Sequence, residues 1–212
     1  VANSDVMGIY NSIFTGNSST AVNAAVGAGH GGAIANGWQL TITNSLIAGN
    51  SAANTGGGIA FINPNSAATF LNVTNTTISG NLANANTATS GGVGGGIGKS
   101  GPGTATVTGS TIVGNRVQSS IGGGVFLDGG TLTLHNSIIA NNTATSGLDI
   151  SSGTINSLGY NLIRTTTGAT ISGTTTGNIT GVDPLLGPLS YNGGPTRTHA
   201  LLAGSPAIDA GD

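Results

Sequence analysis

Thr76-Thr77-Ile78-Ser79-Gly80-Asn81 is one copy of a phrase that the chain repeats along most of its length. Other copies read Ser12-Ile13-Phe14-Thr15-Gly16-Asn17, Ser45-Leu46-Ile47-Ala48-Gly49-Asn50, Ser110-Thr111-Ile112-Val113-Gly114-Asn115 and Ser137-Ile138-Ile139-Ala140-Asn141-Asn142. A decayed copy, Asn156-Ser157-Leu158-Gly159-Tyr160-Asn161, follows them. Each phrase is preceded by a short alternating strand, and that strand by a Gly-Gly pair and an aliphatic residue. A unit this small cannot bury its apolar side chains alone and must stack on its neighbours. The repeat therefore decides the architecture before any motif is weighed.

Counting back from each terminal Asn shows what is stacked. Eight residues before it stand Ile9, Ile42, Val73, Val107 and Leu134, and ten before it Met7, Leu40, Leu71, Ala105 and Leu132. Between them runs a polar column of Gly8, Thr41, Asn72, Thr106 and Thr133. This is period-two alternation, the mark of a strand with one face buried and one solvated. Phe14, Ile47, Ile78, Ile112, Ile139 and Leu158, three before the Asn, form a third inward column. Ile34, Ile59, Ile97, Val125 and Ile150 of the Gly-rich phrase form a fourth. Each repeat thus offers three short strands separated by Asn, Ser and Gly corners.

The Asn-to-Asn spacings run from 19 to 34 residues. A closed coil absorbs such differences in a loop at one corner, whereas a helical repeat would keep a rigid period and be rich in Ala, Leu, Glu and Lys. This chain has one Lys and no Glu. The expectation is an all-β chain, a parallel β-helix of about six to seven coils and about 30 Å long at the ordinary strand spacing.

The terminal residues Asn17, Asn50, Asn81, Asn115, Asn142 and Asn161 occupy the same corner in successive coils. Stacked Asn side chains can hydrogen-bond to those above and below, and Asn tolerates the left-handed backbone of a tight corner. The preceding Gly16, Gly49, Gly80 and Gly114 suit the same bend. Repetition at one register predicts a structural Asn ladder in preference to metal ligands or isolated caps.

Charged residues make up only 5% of the 212 residues, net charge is −2, and mean hydropathy is positive despite 39 glycines, which together argue against disorder. Lys99, Arg116, Arg164 and Arg197 are the only basic residues besides histidine, too few for a nucleic-acid or anionic-membrane footprint. No apolar run approaches the roughly 18 residues of a membrane-spanning helix. There is no cysteine, so disulfides say nothing of the redox compartment. Met7-Gly8-Ile9 already falls mid-coil, which predicts a processed mature chain or a piece of a longer one. A nearly uncharged surface of Thr, Ser, Asn and Gly, with few sites for a trypsin-like protease, points to an exported wall or matrix protein.

The GGGI-type and TISGN-type phrases resemble the right-handed parallel β-helix repeats of bacterial cell-surface proteins, including polymorphic outer-membrane proteins and adhesin-like exoproteins. The closing segment is more specific. It reads Gly159-Tyr160-Asn161-Leu162-Ile163, Val182-Asp183-Pro184-Leu185-Leu186-Gly187-Pro188-Leu189, Asn192-Gly193-Gly194-Pro195-Thr196-Arg197-Thr198-His199-Ala200-Leu201 and Gly204-Ser205-Pro206-Ala207-Ile208-Asp209-Ala210-Gly211-Asp212. It is similar to the tail of CSLREA-type and choice-of-anchor exported proteins. The resemblance implies export, a right-handed solenoid and anchoring to or assembly on a cell surface, and it implies no reaction.

By its own chemistry this tail reads as a cap. Coils are expected over residues 1–182, and a Pro/Gly-rich segment over 183–212 packed on the last coil. Pro184, Pro188, Pro195 and Pro206 cannot donate ladder hydrogen bonds, and Leu185, Leu186, Leu189, Leu201, Leu202 and Ile208 can cover an apolar end. Residues 1–5 are too short to cover the opposite end, which predicts head-to-tail association or further coils upstream.

Parallel β-helices also carry pectate-lyase-like and glycosidase chemistry, which needs clustered carboxylates or a calcium site with a base. The six acids, Asp5, Asp128, Asp149, Asp183, Asp209 and Asp212, are scattered along the chain, and an Asp128/His135/Arg116 site is the only constellation conceivable. His30 and His199 read as hydrogen-bonding structure. No metal-ligand spacing, nucleophile elbow or phosphate loop is present, so no cofactor is expected. The outward residues Thr41, Thr43, Thr74, Thr106, Thr108 and Thr133, with Asn72 and His135 in the same columns, would form a flat hydroxyl-rich face. Such a face could bind ice or a glycan, although Thr is also an ordinary exposed strand residue. The sequons at Asn17, Asn72, Asn75, Asn141 and Asn178 weigh little in so Asn/Thr-rich a chain. The expected function is that of an exported, non-catalytic structural or adhesive protein, self-assembling head-to-tail. The alternative is a carbohydrate-active enzyme or glycan-binding module.

Overall fold

A computed structural model describes residues 1–20, 29–63, 69–84, 92–151 and 153–212. The described chain is all-β, with strands stacked in parallel into a β-helix. One sheet has six strands: Ala2–Asn3, Ile34–Asn36, Ile59–Ile62, Ile97–Ser100, Val125–Asp128 and Ile150–Ser151. A second, with seven longer strands, runs through Val6–Tyr10, Gln39–Thr43, Phe70–Thr74, Thr104–Thr108, Thr131–His135, Thr154–Leu158 and Thr170–Thr174. A third, also of seven, comprises Ile13–Thr15, Leu46–Ala48, Thr77–Ser79, Thr111–Val113, Ile138–Ala140, Leu162–Ile163 and Ile179–Thr180. Four of the repeats have one element beyond the three expected. Ser18–Ser19, Ser51–Ala52, Leu82–Ala83 and Arg116–Val117 pair into a small fourth sheet just after the terminal Asn.

Alternation explains which residues turn inward. In the long sheet Ile9, Ile42, Val73, Val107 and Leu134 pair in register and are buried, as are Leu40, Leu71, Ala105 and Leu132. They meet Ile47, Ile78, Ile112 and Ile139 from the third sheet and Ile34, Ile59, Ile97, Val125 and Ile150 from the first in one continuous core. β-Branched residues dominate these columns because they fit a pleated, half-buried surface. The decayed copy departs from the pattern. Leu158 closes the strand Thr154–Leu158 and is exposed, and Ile163 takes the inward place beside Ile139. Ser157 follows Leu134 in its column, so the aliphatic stack ends there in a buried hydroxyl.

Lys99 is the least expected core residue. It stands between Phe61 and Leu127 in an inward column and is almost wholly buried. Its stem fills the aliphatic slot, and its ammonium reaches the corner to donate to the carbonyls of Gly101 and Gly129. Burial holds its pKa below that of an ordinary lysine, with nearby Asp128 acting in the opposite sense.

The tail does not lie across the end of the last coil. It folds back along the outer face of the third sheet, as an antiparallel hairpin of Leu186–Ser190 and Thr198–Leu201. Leu186 and Ala207 pack on outward-facing Val113, Ala140 and Leu162. His199 Nε2 lies 2.9 Å from Ser79 Oγ, and its Nδ1 lies 2.7 Å from the Gly187 carbonyl. A carbonyl can only accept, so Nδ1 carries a proton and donates it to Gly187. The physical reason for this placement is the second face of the third sheet. Its outward column carries Ala48, Val113 and Ala140, apolar side chains that need cover, while the polar Ser157 already closes the interior. The last parallel strand is Ile179–Thr180, and the hairpin opens at Leu186.

Ile78 is fully buried at the centre of the core. Ile78→Asp is expected to abolish the cooperative thermal transition, because an unpaired charge cannot be solvated there, whereas Ile78→Val should cost about 1 kcal/mol. Thermal unfolding followed by circular dichroism measures both, and a cooperative melt retained by Ile78→Asp would refute the coil register.

Candidate functional site

Both ends of the repeated phrase are polar and buried, and each builds a ladder. The Nδ2 groups of Asn17, Asn50, Asn81 and Asn115 donate to Oδ1 of Asn50, Asn81, Asn115 and Asn142 respectively, at 2.8–3.0 Å. Each backbone N–H follows its side chain to the same oxygen. The second Nδ2 proton of Asn50, Asn81, Asn115 and Asn142 goes to a carbonyl of the preceding coil: Phe14, Ile47, Ile78 and Ile112 in turn. Every polar valence of these amides is used.

The left-handed residue at this corner is not the ladder Asn itself. Gly16, Gly49, Gly80, Gly114 and Asn141, one position earlier, have positive φ. A second left-handed corner is formed by Asn11, Asn44, Asn75, Gly109, Asn136 and Tyr160.

Asn161 does not belong to the Asn ladder. Its Oδ1 accepts from the Ser137 N–H at 3.1 Å, and its own N–H donates to Asn178 Oδ1. This continues a second ladder, made by the residue that opens each phrase. The N–H groups of Ser12, Ser45, Thr76 and Ser110 donate to the hydroxyls of Ser45, Thr76, Ser110 and Ser137. Each hydroxyl donates to the carbonyl two residues before it. The signal was present in the sequence as the Ser or Thr that heads five of the six copies of the phrase.

The Asn ladder ends instead on Asp149. Its Oδ1 accepts from Asn142 N–H and Nδ2 at 3.0 and 2.9 Å, and its Oδ2 accepts from Thr165 N–H at 2.8 Å. Asp149 immediately precedes Ile150, the position held by Ala33, Gly58, Gly96 and Gly124 in earlier coils. Where that position is glycine the space is closed. A Cβ on Gly96 would lie 3.1 Å from Asn115 Nδ2, and one on Gly124 only 2.7 Å from Asn142 Nδ2. At Asp149 the side chain occupies the ladder site from the neighbouring strand. A carboxylate accepts only, which suits a terminus facing N–H donors from two sides. Burial lifts this carboxyl above the ordinary carboxylate range, and the N–H groups of Asn142 and Thr165 pull it partly back.

Other ionisable groups are tied to local structure. Asp5 accepts from Val6 N–H, Asp128 from Ser100, and Asp183 from Leu185 N–H while lying 3.4 Å from Arg164. Arg164 also donates to Asn141. His135 Nε2 is 3.6 Å from Asp212 Oδ2, and its ring meets Tyr160 edge-on with centroids 6.4 Å apart. Asp128, His135 and Arg116 stand on three different sheets with different partners, so they form no constellation. No group of three or more His, Cys, Asp or Glu residues capable of holding a metal occurs among the described residues.

The outward face of the long sheet is regular. Thr41, Asn72, Thr106 and Thr133 pair in one column, and Thr43, Thr74, Thr108 and His135 in another. Thr104, Thr131, Thr154 and Thr170 make a third, exposed along its length. No described helix is long and apolar enough to cross a membrane. No protein-family model, no curated protein and no solved structure matches the chain.

Asn115→Ala removes the acceptor of two Asn81 donors and the donor to Ile78 O in the buried middle of the ladder. At about 1–3 kcal/mol per orphaned buried group, denaturant unfolding should show a loss of roughly 3 kcal/mol or more, against well under 1 kcal/mol for exposed Asn17→Ala. Equal losses would contradict the ladder.

Asp149 supplies a pH test. Its folded pKa is raised, so its contribution to stability is complete below the unfolded carboxylate pKa and is lost as pH rises through the folded value. Melting temperatures measured from pH 4 upward (a mildly acidic start) should therefore fall with pH more steeply in the native chain than in Asp149→Asn. Parallel curves would refute this.

Proposed function

We propose that this chain is an exported, non-catalytic solenoid with a structural or adhesive role at a cell surface or in an extracellular matrix, acting through its outer faces. The observation that carries this reading is the use made of its reactive side chains. Asp149 terminates a ladder, Asp5, Asp128 and Asp183 accept structural hydrogen bonds, Asp212 faces His135, and Lys99 is sealed in the core. Five of the six carboxylates, the class of group that glycoside hydrolysis or elimination would require, are thus engaged in separate contacts instead of being gathered in one site. The likeness of the repeats and tail to exported β-helix proteins supports the same reading, as does a surface poor in charge.

Self-association along the coil axis is a second reading. It is favoured by the strand Thr170–Thr174, which pairs with Thr154–Leu158 on one side and has no strand on its other edge among the described residues. The flank position of the tail leaves that edge open to a second copy.

Two measurements test these readings. Purified chain incubated with polygalacturonate, xylan and peptidoglycan is expected to release no new reducing ends and no unsaturated product, and release of either would overturn the non-catalytic reading. Negative-stain electron microscopy should show filaments if copies stack end to end, and dispersed particles would eliminate self-association.

A further inference from the structure

We propose that the outward face of the long sheet binds ice, holding an ordered layer of water against its rows of threonine. The inference rests on the reading of the outer faces as contact surfaces, and it names the ligand of one of them. The argument starts from register. Thr104, Thr106 and Thr108 stand on one strand, with Thr131 and Thr133 beside the first two on the next coil. Side chains two apart on a strand repeat at about 6.6–6.8 Å, and neighbouring strands at about 4.7–4.9 Å. The face is thus a two-dimensional lattice of hydroxyl and methyl groups. Oxygen atoms on the prism faces of hexagonal ice repeat on similar spacings along two perpendicular directions.

Three further observations favour this occupant. First, the hydroxyls of these threonines make no hydrogen bond within the described residues, so their donors and acceptors are left to an external partner. Second, the seven strands place no Lys, Arg, Asp or Glu on the face, and the carboxylate of Asp212 meets it only at the margin, 3.6 Å from His135. A charge would order water radially about itself and break a lattice, whereas an uncharged face matches an uncharged solid. Third, the lattice is stiff. Threonine is restricted at χ1, and the backbone beneath it is pinned by the two buried ladders. A polysaccharide site is usually built on a continuous exposed aromatic platform, whereas the aromatic side chains of this face, half-buried Phe70 beside Thr104 and exposed Tyr10 on the first strand, stand in different columns and two strands apart.

The test uses the whole chain. Purified protein is assayed for inhibition of ice recrystallisation and for thermal hysteresis, beside the double variant Thr106→Lys/Thr133→Lys and the off-face variant Gln118→Lys. Gln118 is exposed and lies just beyond the small fourth sheet. Circular dichroism and melting curves confirm that each variant keeps the fold. The native chain and Gln118→Lys are expected to suppress recrystallisation and the double variant to lose most of that activity. Ice growth in the native chain equal to that in albumin would overturn the proposal, and so would full activity in the folded double variant. Binding to insoluble cellulose, chitin or peptidoglycan that the double variant loses, without any effect on ice, would also overturn it. The non-catalytic adhesive reading would then stand with a glycan as ligand.

Discussion

A parallel coil can exist only if each corner, where the backbone turns out of one sheet into the next, finds partners for its polar groups. Water is excluded there, and an orphaned buried donor or acceptor costs about 1–3 kcal/mol, more than a neutral hydrogen bond contributes net. The chain meets this constraint with the Asn column. One side chain accepts two N–H groups from the coil on one side and donates to the coil on the other, then closes onto a carbonyl. The ladder is consequently more a device of register than of raw stability. Displacing one coil leaves several groups unmet at once, while burial of aliphatic columns would tolerate the slip.

The Gly-rich phrase and the Asn are two halves of that contact. Gly96 and Gly124 leave room for the Asn amide of their own coil, so their lack of a side chain is a packing requirement. Where the pattern fails, after Asn142, the same geometry is satisfied from the other side. Asp149 projects from the glycine position into the vacant ladder site, and its second oxygen holds Thr165. The interior changes character together with the corner, as Ser157 replaces the aliphatic column and gathers the amides of Asn161 and Asn178. The corner past Asn142 is therefore satisfied by hydrogen bonds within the coils, and the tail clasps the flank as far back as Ser79.

This arrangement sorts the surface by role. The outer side of the third sheet is covered by the tail, the first sheet carries the Gly corners, and the long sheet presents to solvent columns of mainly short polar side chains, interrupted by Phe70 and Leu158 and ended by Tyr10.

Much of the architecture could be read from the chain alone. Period-two alternation fixed which of Ile42, Val73, Val107 and Leu134 point inward, and repetition required them to stack, because both follow from local geometry that each copy states again. The Asn ladder from Asn17 to Asn142 was legible for the same reason. Tertiary structure decided what occurs only once. Asn161 matched the phrase by spacing but lies in the Ser/Thr ladder, since an altered coil length shifts its register. Nothing in the sequence marks Lys99 as a core residue, and only the fold places its stem in an aliphatic slot. The place of the tail was equally hidden, because prolines and leucines state that a segment will cover something apolar without stating which surface is left uncovered. Sequence determines a repeated contact because every copy carries the same local constraint, and the fold alone decides an unrepeated one because its partner is distant along the chain.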